Sequence, residues 1–191
     1  MRRRWAVVAG GAVLMAAVAG VGLLNRAQPP SSPAAGSSLA PGVAGPAGPI
    51  DGGWRVSRVV DGDTVRVRRN GQELKVRLIG IDSPESVKPD TPVECYALEA
   101  SQFAQDRLEG AAVALEGDPS QQPADRYGRT LAYLWLVDDS GRALSMFNIE
   151  AIAAGAAREA TYDGAYQWQS AFRAAEESAR AQGRGLWAAC E

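Results

Sequence analysis

The chain has no histidine among its 191 residues. That excludes Ser-His-Asp and Cys-His triads, imidazole acid–base catalysis and histidine-bound zinc. Any catalysis must use carboxylates, guanidiniums, phenols, hydroxyls or a hard metal ion. Cysteine is nearly absent as well. Cys95 and Cys190 stand far apart and form no C-x-x-C pair, which argues against zinc-thiolate and thioredoxin-like chemistry. In an oxidising compartment they can pair across 94 intervening residues; two separate buried thiols are the alternative. Charge of either sign is missing from residues 27–49, where six of the eleven prolines fall among Ala, Gly and Ser. Such a stretch cannot bury enough apolar surface to offset the entropy of ordering it, so it is expected to be a tether.

Upstream, Arg2-Arg3-Arg4 precedes an uncharged, mostly apolar run over 5–24. Ala17-Val18-Ala19 is a small-x-small cleavage signal after a short apolar core, which favours a removed signal peptide. The whole run also reaches the roughly 20 apolar residues that span a bilayer, which favours a retained anchor. Both readings leave the arginines inside and export the remainder of the chain. The expected organisation is a signal peptide or membrane anchor at 1–26, a flexible linker at 27–52 and a folded domain at 53–191. From Asp51 onward there are sixteen Lys and Arg against all twenty-two acids, a net charge of −6. Nucleic-acid binders are usually basic, so one with this balance needs local arginines and a metal to hold phosphate. Nothing in the sequence calls for more than a monomer.

In the folded part, 54–60, 64–69 and 73–81 are predicted strands. Thr64-Val-Arg-Val-Arg-Arg69 alternates apolar and charged residues, and Asn70-Gly71 is a strong hairpin signal. Both parities of the third strand are apolar, so both of its faces should be covered. A helix is predicted over 93–109, strands over 112–116 and 131–136, and a turn at 138–141. A further helix is predicted over 145–154 and a last one over 165–182. Short strands with helices between and after them suggest an α+β fold, a five-stranded OB-type barrel with helical additions.

Three stretches stand out for chemistry: Val60-Asp-Gly-Asp-Thr-Val65, Arg77-Leu-Ile-Gly-Ile-Asp-Ser-Pro-Glu85 and Asp125-Arg-Tyr-Gly-Arg129. Each alone reads as a turn or a polar loop. In combination, Asp63 opens one strand and Asp82 closes the next across the hairpin, so the two carboxylates can meet at one barrel edge. Two carboxylates with a backbone carbonyl and waters suit Ca²⁺. Glu85 is placed to reach a water beside that ion. Arg77 and Arg129 offer fork-shaped donors that match a phosphate. These are the parts of a metal-assisted phosphodiester hydrolysis.

The ordered blocks V-V-D-G-D-T-V, R-L-I-G-I-D-S-P-E and D-R-Y-G-R-T-L-A-Y resemble the thermonuclease (staphylococcal-nuclease-like) family, from about Trp54 to the closing Gly-Leu-Trp187. The resemblance implies an OB barrel with three helices and Ca²⁺-dependent 5′ P–O cleavage of DNA and RNA that leaves 3′-phosphates. It assigns Asp63, Asp82 and the Ser83 carbonyl to the metal, and Arg77, Glu85 and Arg129 to catalysis. It also places Arg126, Tyr127 and Tyr162 at the nucleotide's terminal phosphate. Ser83 stands where the family more often has Thr, and Ala160 where a base-stacking tyrosine occurs. The loop 86–92 has one lysine, Lys88, where a relative is more basic. The rival reading is a catalytically inactive OB-type module that binds nucleic acid without cutting it.

Overall fold

The computed structural model describes residues 43–86 and 92–190. The expected signal or anchor segment, residues 27–42 and the Lys88 part of the loop lie outside the described residues. Three antiparallel strands come first: β1 (Ile50–Asp61), β2 (Thr64–Arg69) and β3 (Gln72–Leu78). β2 turns into β3 at Asn70-Gly71, both at positive φ, as the hairpin signal requires. After a break comes the two-residue β4 (Ile81–Asp82), then helix α1 (Ala97–Leu108) and strands β5 (Ala112–Glu116) and β6 (Thr130–Val137). The sheet runs β3-β2-β1-β5-β6, and a parallel pairing of Val76–Leu78 with Thr130–Ala132 joins β3 to β6. That pairing closes a five-stranded barrel of the OB type. A short β7 (Ala143–Met146) extends β6 and leads into α2 (Phe147–Ala153); β8 (Arg158–Glu159), α3 (Gln169–Ala181) and the one-turn α4 (Leu186–Ala189) complete the chain.

Alternation within the strands builds the core. Val56, Val65, Val67, Val76, Val113 and Leu134 point inward with 2 % exposure or less. Trp135, on the other face of β6, is buried against Trp168, and Phe147 and Phe172 are buried from α2 and α3. Each such large side chain contributes about 1.5–3 kcal/mol when fully buried. Tyr133 and Trp135 find carboxylate partners for their polar ends, whereas the indole N–H groups of Trp168 and Trp187 have no partner among the described residues. Tyr133 donates to Asp118 (2.5 Å) and the Trp135 indole N–H to Glu116 (2.7 Å).

Glu116 also accepts the backbone N–H groups of Ala47 and Gly48, both at 2.8 Å, and Val43 is buried in the core. Residues 43–52, expected as linker, are therefore packed on the barrel, and the boundary expected at 53 falls inside β1. A buried carboxylate that needs donors recruits a segment whose composition gave no sign of order.

Other departures have equally local causes. The strand expected over 73–81 is split at Gly80, which sits at φ 76 with Tyr166 and Phe172 packed where a Cβ would be. The helix expected from 93 starts at Ala97, because Tyr96 is left-handed (φ 67) and Cys95 is bonded to Cys190, with a Cα–Cα distance of 5.9 Å. The helix expected from 145 begins at Phe147, because Ser145 and Met146 pair with Leu136 and Trp135 on β6. The helix expected from 165 begins at Gln169. The Ala165 carbonyl and the Gln167 N–H are taken by Ser120 and Asp118 instead.

Candidate active site

The site lies where β1, β2 and β3 end on one edge. Register brings Asp61 opposite Thr64, and Thr64 opposite Arg77. The intervening Gly62 lets the Asp61–Asp63 turn lie against Ser83, whose Cβ would be 2.6 Å from a Cβ at position 62. Any side chain there would push the turn off Ser83. β4 then pairs with β8 (Ile81 with Glu159, Asp82 with Arg158), which holds Asp82 over the same edge.

Arg77 is the hub. Its side chain is about nine-tenths buried, and Nη1 pairs with Asp63 Oδ2 (2.8 Å) and donates to the Ile81 carbonyl (2.9 Å). Nη2 donates to Asp82 Oδ1 (3.0 Å) and to the Tyr162 hydroxyl oxygen (3.0 Å). The Tyr162 hydroxyl in turn donates to Asp82 Oδ1 (2.8 Å). Burial opposes the guanidinium charge, but Asp63 and its neighbours outweigh that and hold the Arg77 pKa above its usual value.

Asp63 is 7 % exposed, and its carboxylate accepts the Ser83 N–H (3.0 Å) and the Thr64 hydroxyl (2.9 Å). Its pKa is pushed up to about 6. Burial is the main cause; Arg77 and the Ser83 N–H pull the other way, and the Asp61 charge adds to the rise. Asp61 braces the turn by accepting the Asp63 N–H (3.1 Å).

A pocket of about 320 Å³ opens onto this edge. It is lined by Asp61, Asp63, Arg77, Asp82, Ser83, Pro84, Glu85, Glu94 and Arg129. All six residues expected to bind metal or catalyse (Asp63, Asp82, Ser83, Arg77, Glu85 and Arg129) are brought to it. Arg129 arrives from the loop before β6 and is fixed by Asp125. Asp125 accepts the Arg129 Nε–H (2.5 Å) and the backbone N–H groups of Arg129 and Tyr127, both at 2.9 Å. Burial works against the Asp125 charge, but these donors win and keep its pKa below the usual carboxylate value.

The family model described as staphylococcal nuclease homologue matches residues 75–189. The chain is 41 % identical over 134 residues to the thermonuclease of Staphylococcus intermedius, covering 70 % of this chain and 75 % of that one. It matches the thermonuclease of Staphylococcus hyicus to the same extent. It is also 30 % identical over 133 residues to Endonuclease YncB of Bacillus subtilis, covering 69 % of this chain and 60 % of that one. The chain belongs to the staphylococcal-nuclease family.

The three rim residues inferred from that family fall at two places. Tyr162 is 65 % exposed and caps the Arg77–Asp82 pair. Arg126 and Tyr127 sit on the Asp125–Arg129 loop. The Arg126 guanidinium lies 4.8 Å from the Tyr127 ring centre and donates to its hydroxyl (2.7 Å), while Arg129 lies 5.5 Å from the same ring. None of the three lines the pocket itself.

Two residues of the site escaped the sequence reading. Glu94 lines the pocket, accepts the Glu85 N–H (3.0 Å) and donates its own N–H to the Glu85 carbonyl (3.0 Å). It clamps Glu85 across a loop, and its place next to Cys95 is the signal that could have found it. Asp125 belonged to a noted block but had no role; its spacing of four from Arg129 is the usable sign.

Proposed function

We propose that this protein is an exported, calcium-dependent nuclease that hydrolyses DNA and RNA at the 5′ P–O bond and leaves 3′-phosphates. Membership in the family and the relatives named thermonuclease and endonuclease support nuclease activity. The observation that carries the metal is the charge of the pocket. Five carboxylates (Asp61, Asp63, Asp82, Glu85 and Glu94) face two guanidiniums, Arg77 and Arg129. A phosphodiester is an anion, and a pocket of that balance repels it unless a cation is present.

The donors available are all oxygen, which suits a hard ion such as calcium. Among the described residues, no three acidic side chains converge closely enough to hold an ion by themselves. Asp63, Asp82 and the Ser83 carbonyl would therefore share it with water and substrate oxygens. When bound, calcium supplies Lewis-acid neutralisation of the phosphate charge.

The chain's own residues account for the rest. Glu85, held in place by Glu94, positions the attacking water in line with the 5′ P–O bond. The bond to the 5′ oxygen breaks as the new P–O bond forms, and the 5′ oxygen takes up a proton. Arg129, fixed by Asp125, presents its Nη groups to the phosphate. Arg77 Nη2 can exchange Asp82, whose side chain is 57 % exposed, for a phosphate oxygen while Nη1 stays on Asp63. Donors aimed in advance at developing charge each contribute about 10²–10³ in rate. Arg126, Tyr127 and Tyr162 form a rim for the terminal phosphate. The Cys95–Cys190 disulfide and the basic-then-apolar N-terminus support export, with that N-terminal segment either removed or kept as a membrane anchor.

The test is hydrolysis of denatured DNA and of RNA with millimolar Ca²⁺ and with a chelator, beside Arg77→Ala, Glu85→Ala and Arg129→Ala. Calcium-dependent cutting that falls at least about 10²-fold in each variant is expected. Wild-type rates in all three would sink the assignment, and strand binding without cutting would favour the inactive binding module.

A further inference from the structure

The outer face of the β1–β2–β3 sheet carries cations in register. Arg58 lies opposite Arg66 and Arg66 opposite Lys75, so one row across three strands holds three positive charges. The next row is Arg55, Arg68 and Glu73. Five of the domain's sixteen cations thus stand on two adjacent rows of a domain whose net charge is −6. Arg55, Arg58, Arg68 and Lys75 are exposed and Arg66 partly so. Glu73, the one acid in these rows, pairs with Arg66 (2.8 Å) and Arg68 (3.2 Å). Like charges directly opposite on a sheet are destabilising. A barrel with twenty-two acids to draw on would relieve this arrangement if stability were its only purpose.

The rows also lead to the pocket. Strand alternation puts Lys75 and Arg77 on the same face, and the row after Arg58–Arg66–Lys75 is Asp61–Thr64–Arg77. The cationic rows therefore begin about 7 Å from the catalytic one and end about 14 Å from it.

We propose that this face is an exosite for the phosphate backbone of a single nucleic-acid strand running out of the pocket. Arg55, Arg58, Arg66, Arg68 and Lys75 take successive phosphates of the portion not being cut. The inference rests on the nuclease reading and deepens it: a strand several nucleotides long is the preferred substrate over a minimal one. The exosite offsets the acidic body by gathering its cations where the substrate leaves the site. With no aromatic side chain in the two rows, contact is to backbone phosphates and carries little base preference.

The test compares wild type with Arg58→Gln/Arg66→Gln/Lys75→Gln in calcium buffer, on a trinucleotide and on a 30-nucleotide single strand, at 50 and 200 mM salt. Removing three phosphate contacts should reduce the slope of log affinity against log salt by about 2. KM for the long strand should rise roughly tenfold at 50 mM salt, with its kcat and the rate on the trinucleotide unchanged. The thermal midpoint should hold or rise, because like-charge opposition is removed. An unchanged salt slope on the long strand overturns the exosite. Equal losses on both substrates would also overturn it, since they mark a general defect. A wild type that cuts neither substrate would instead defeat the nuclease reading; in that case an unaltered salt slope for strand binding by the variant still overturns the exosite.

Discussion

Cutting the Cys95–Cys190 bridge should cost this domain a large part of its stability and little of its chemistry. The two cysteines are 95 positions apart, so the bridge closes most of the domain into one loop. In the chain-entropy view, a closure of that length removes unfolded-state freedom equivalent to about 4–5 kcal/mol. At the C-terminal end, Leu186 and Trp187 pack with Ala179, Tyr96 and Cys190 in a small cluster apart from the barrel core, and the Leu186 N–H donates to the Gly155 carbonyl (2.9 Å). For a domain of this size, 1 kcal/mol moves the midpoint by roughly 2–4 °C, so Cys95→Ser/Cys190→Ser should melt about 10–20 °C lower. The assay is calorimetry of the double variant beside the oxidised protein at one calcium concentration. A drop of less than about 3 °C would refute the argument and mean that the unfolded chain was already constrained or that the bridge strains the native state. Activity at 25 °C should survive, because Glu94 meets Glu85 through its own backbone and side chain, one residue before the bridge. A loss of kcat matching the loss of stability would show that the bridge also sets Glu85.

Asp125→Asn should lower kcat about tenfold or more with a nearly unchanged midpoint, since it loosens Arg129 without emptying the pocket; steady-state kinetics beside calorimetry check it. Asn148→Ala should cost roughly 2–4 kcal/mol in denaturant titration, because the buried amide bonds the Leu134 N–H and the Ile79 carbonyl, both at 2.9 Å, and alanine orphans both. Asp118 is held below its usual pKa: burial opposes its charge, but Tyr133, the Gln167 N–H and Ser120 outweigh that. Its contribution is therefore present above the unfolded carboxylate value and lost as pH falls through the lower folded one. Wild type should lose stability below about pH 4, and Asp118→Asn should flatten that limb of a melting-versus-pH curve. Saturating calcium should raise the midpoint by an amount equivalent to about 2.7 kcal/mol at a hundredfold excess over Kd, reversed by chelator; no shift would contradict the metal assignment.

The barrel was legible because its signals are local. Period-two alternation in Thr64–Arg69 and the Asn70-Gly71 turn are borne out residue for residue, and they suffice to place Asp63 beside Arg77. The same hairpin order brings Asp82 back toward Asp63, but the chain breaks at Gly80 and the β4–β8 pairing, which the sequence did not signal, holds Asp82 there. Long-range satisfaction of polar groups was not legible. Nothing near residues 43–48 signals that Glu116 will capture their N–H groups, and nothing near Ala165 signals that Ser120 will take its carbonyl. β7 and β8 were missed for a related reason. Strands of two to four residues have no periodicity and exist here only because β6 and β4 offer edges.

The distribution of charge explains how an acidic domain can serve a polyanion. Five acids at the pocket form a local sink that only a cation can fill, and screening at physiological salt confines that field to about 8 Å. A strand approaching from further away feels those carboxylates only weakly. It meets Arg55, Arg58, Arg66, Arg68 and Lys75 first, on the face that leads by register to Arg77. The acids that make the body net negative can then sit elsewhere without opposing encounter. On this view, adding charge at the rows and removing it at the pocket have opposite effects. Glu73→Gln should lower KM for long strands by exposing Arg66 and Arg68. Asp61→Asn should weaken the calcium requirement's midpoint without changing the salt slope. If both substitutions moved KM alike, net charge rather than its placement would govern binding, and the separation of roles argued for these two faces would be lost.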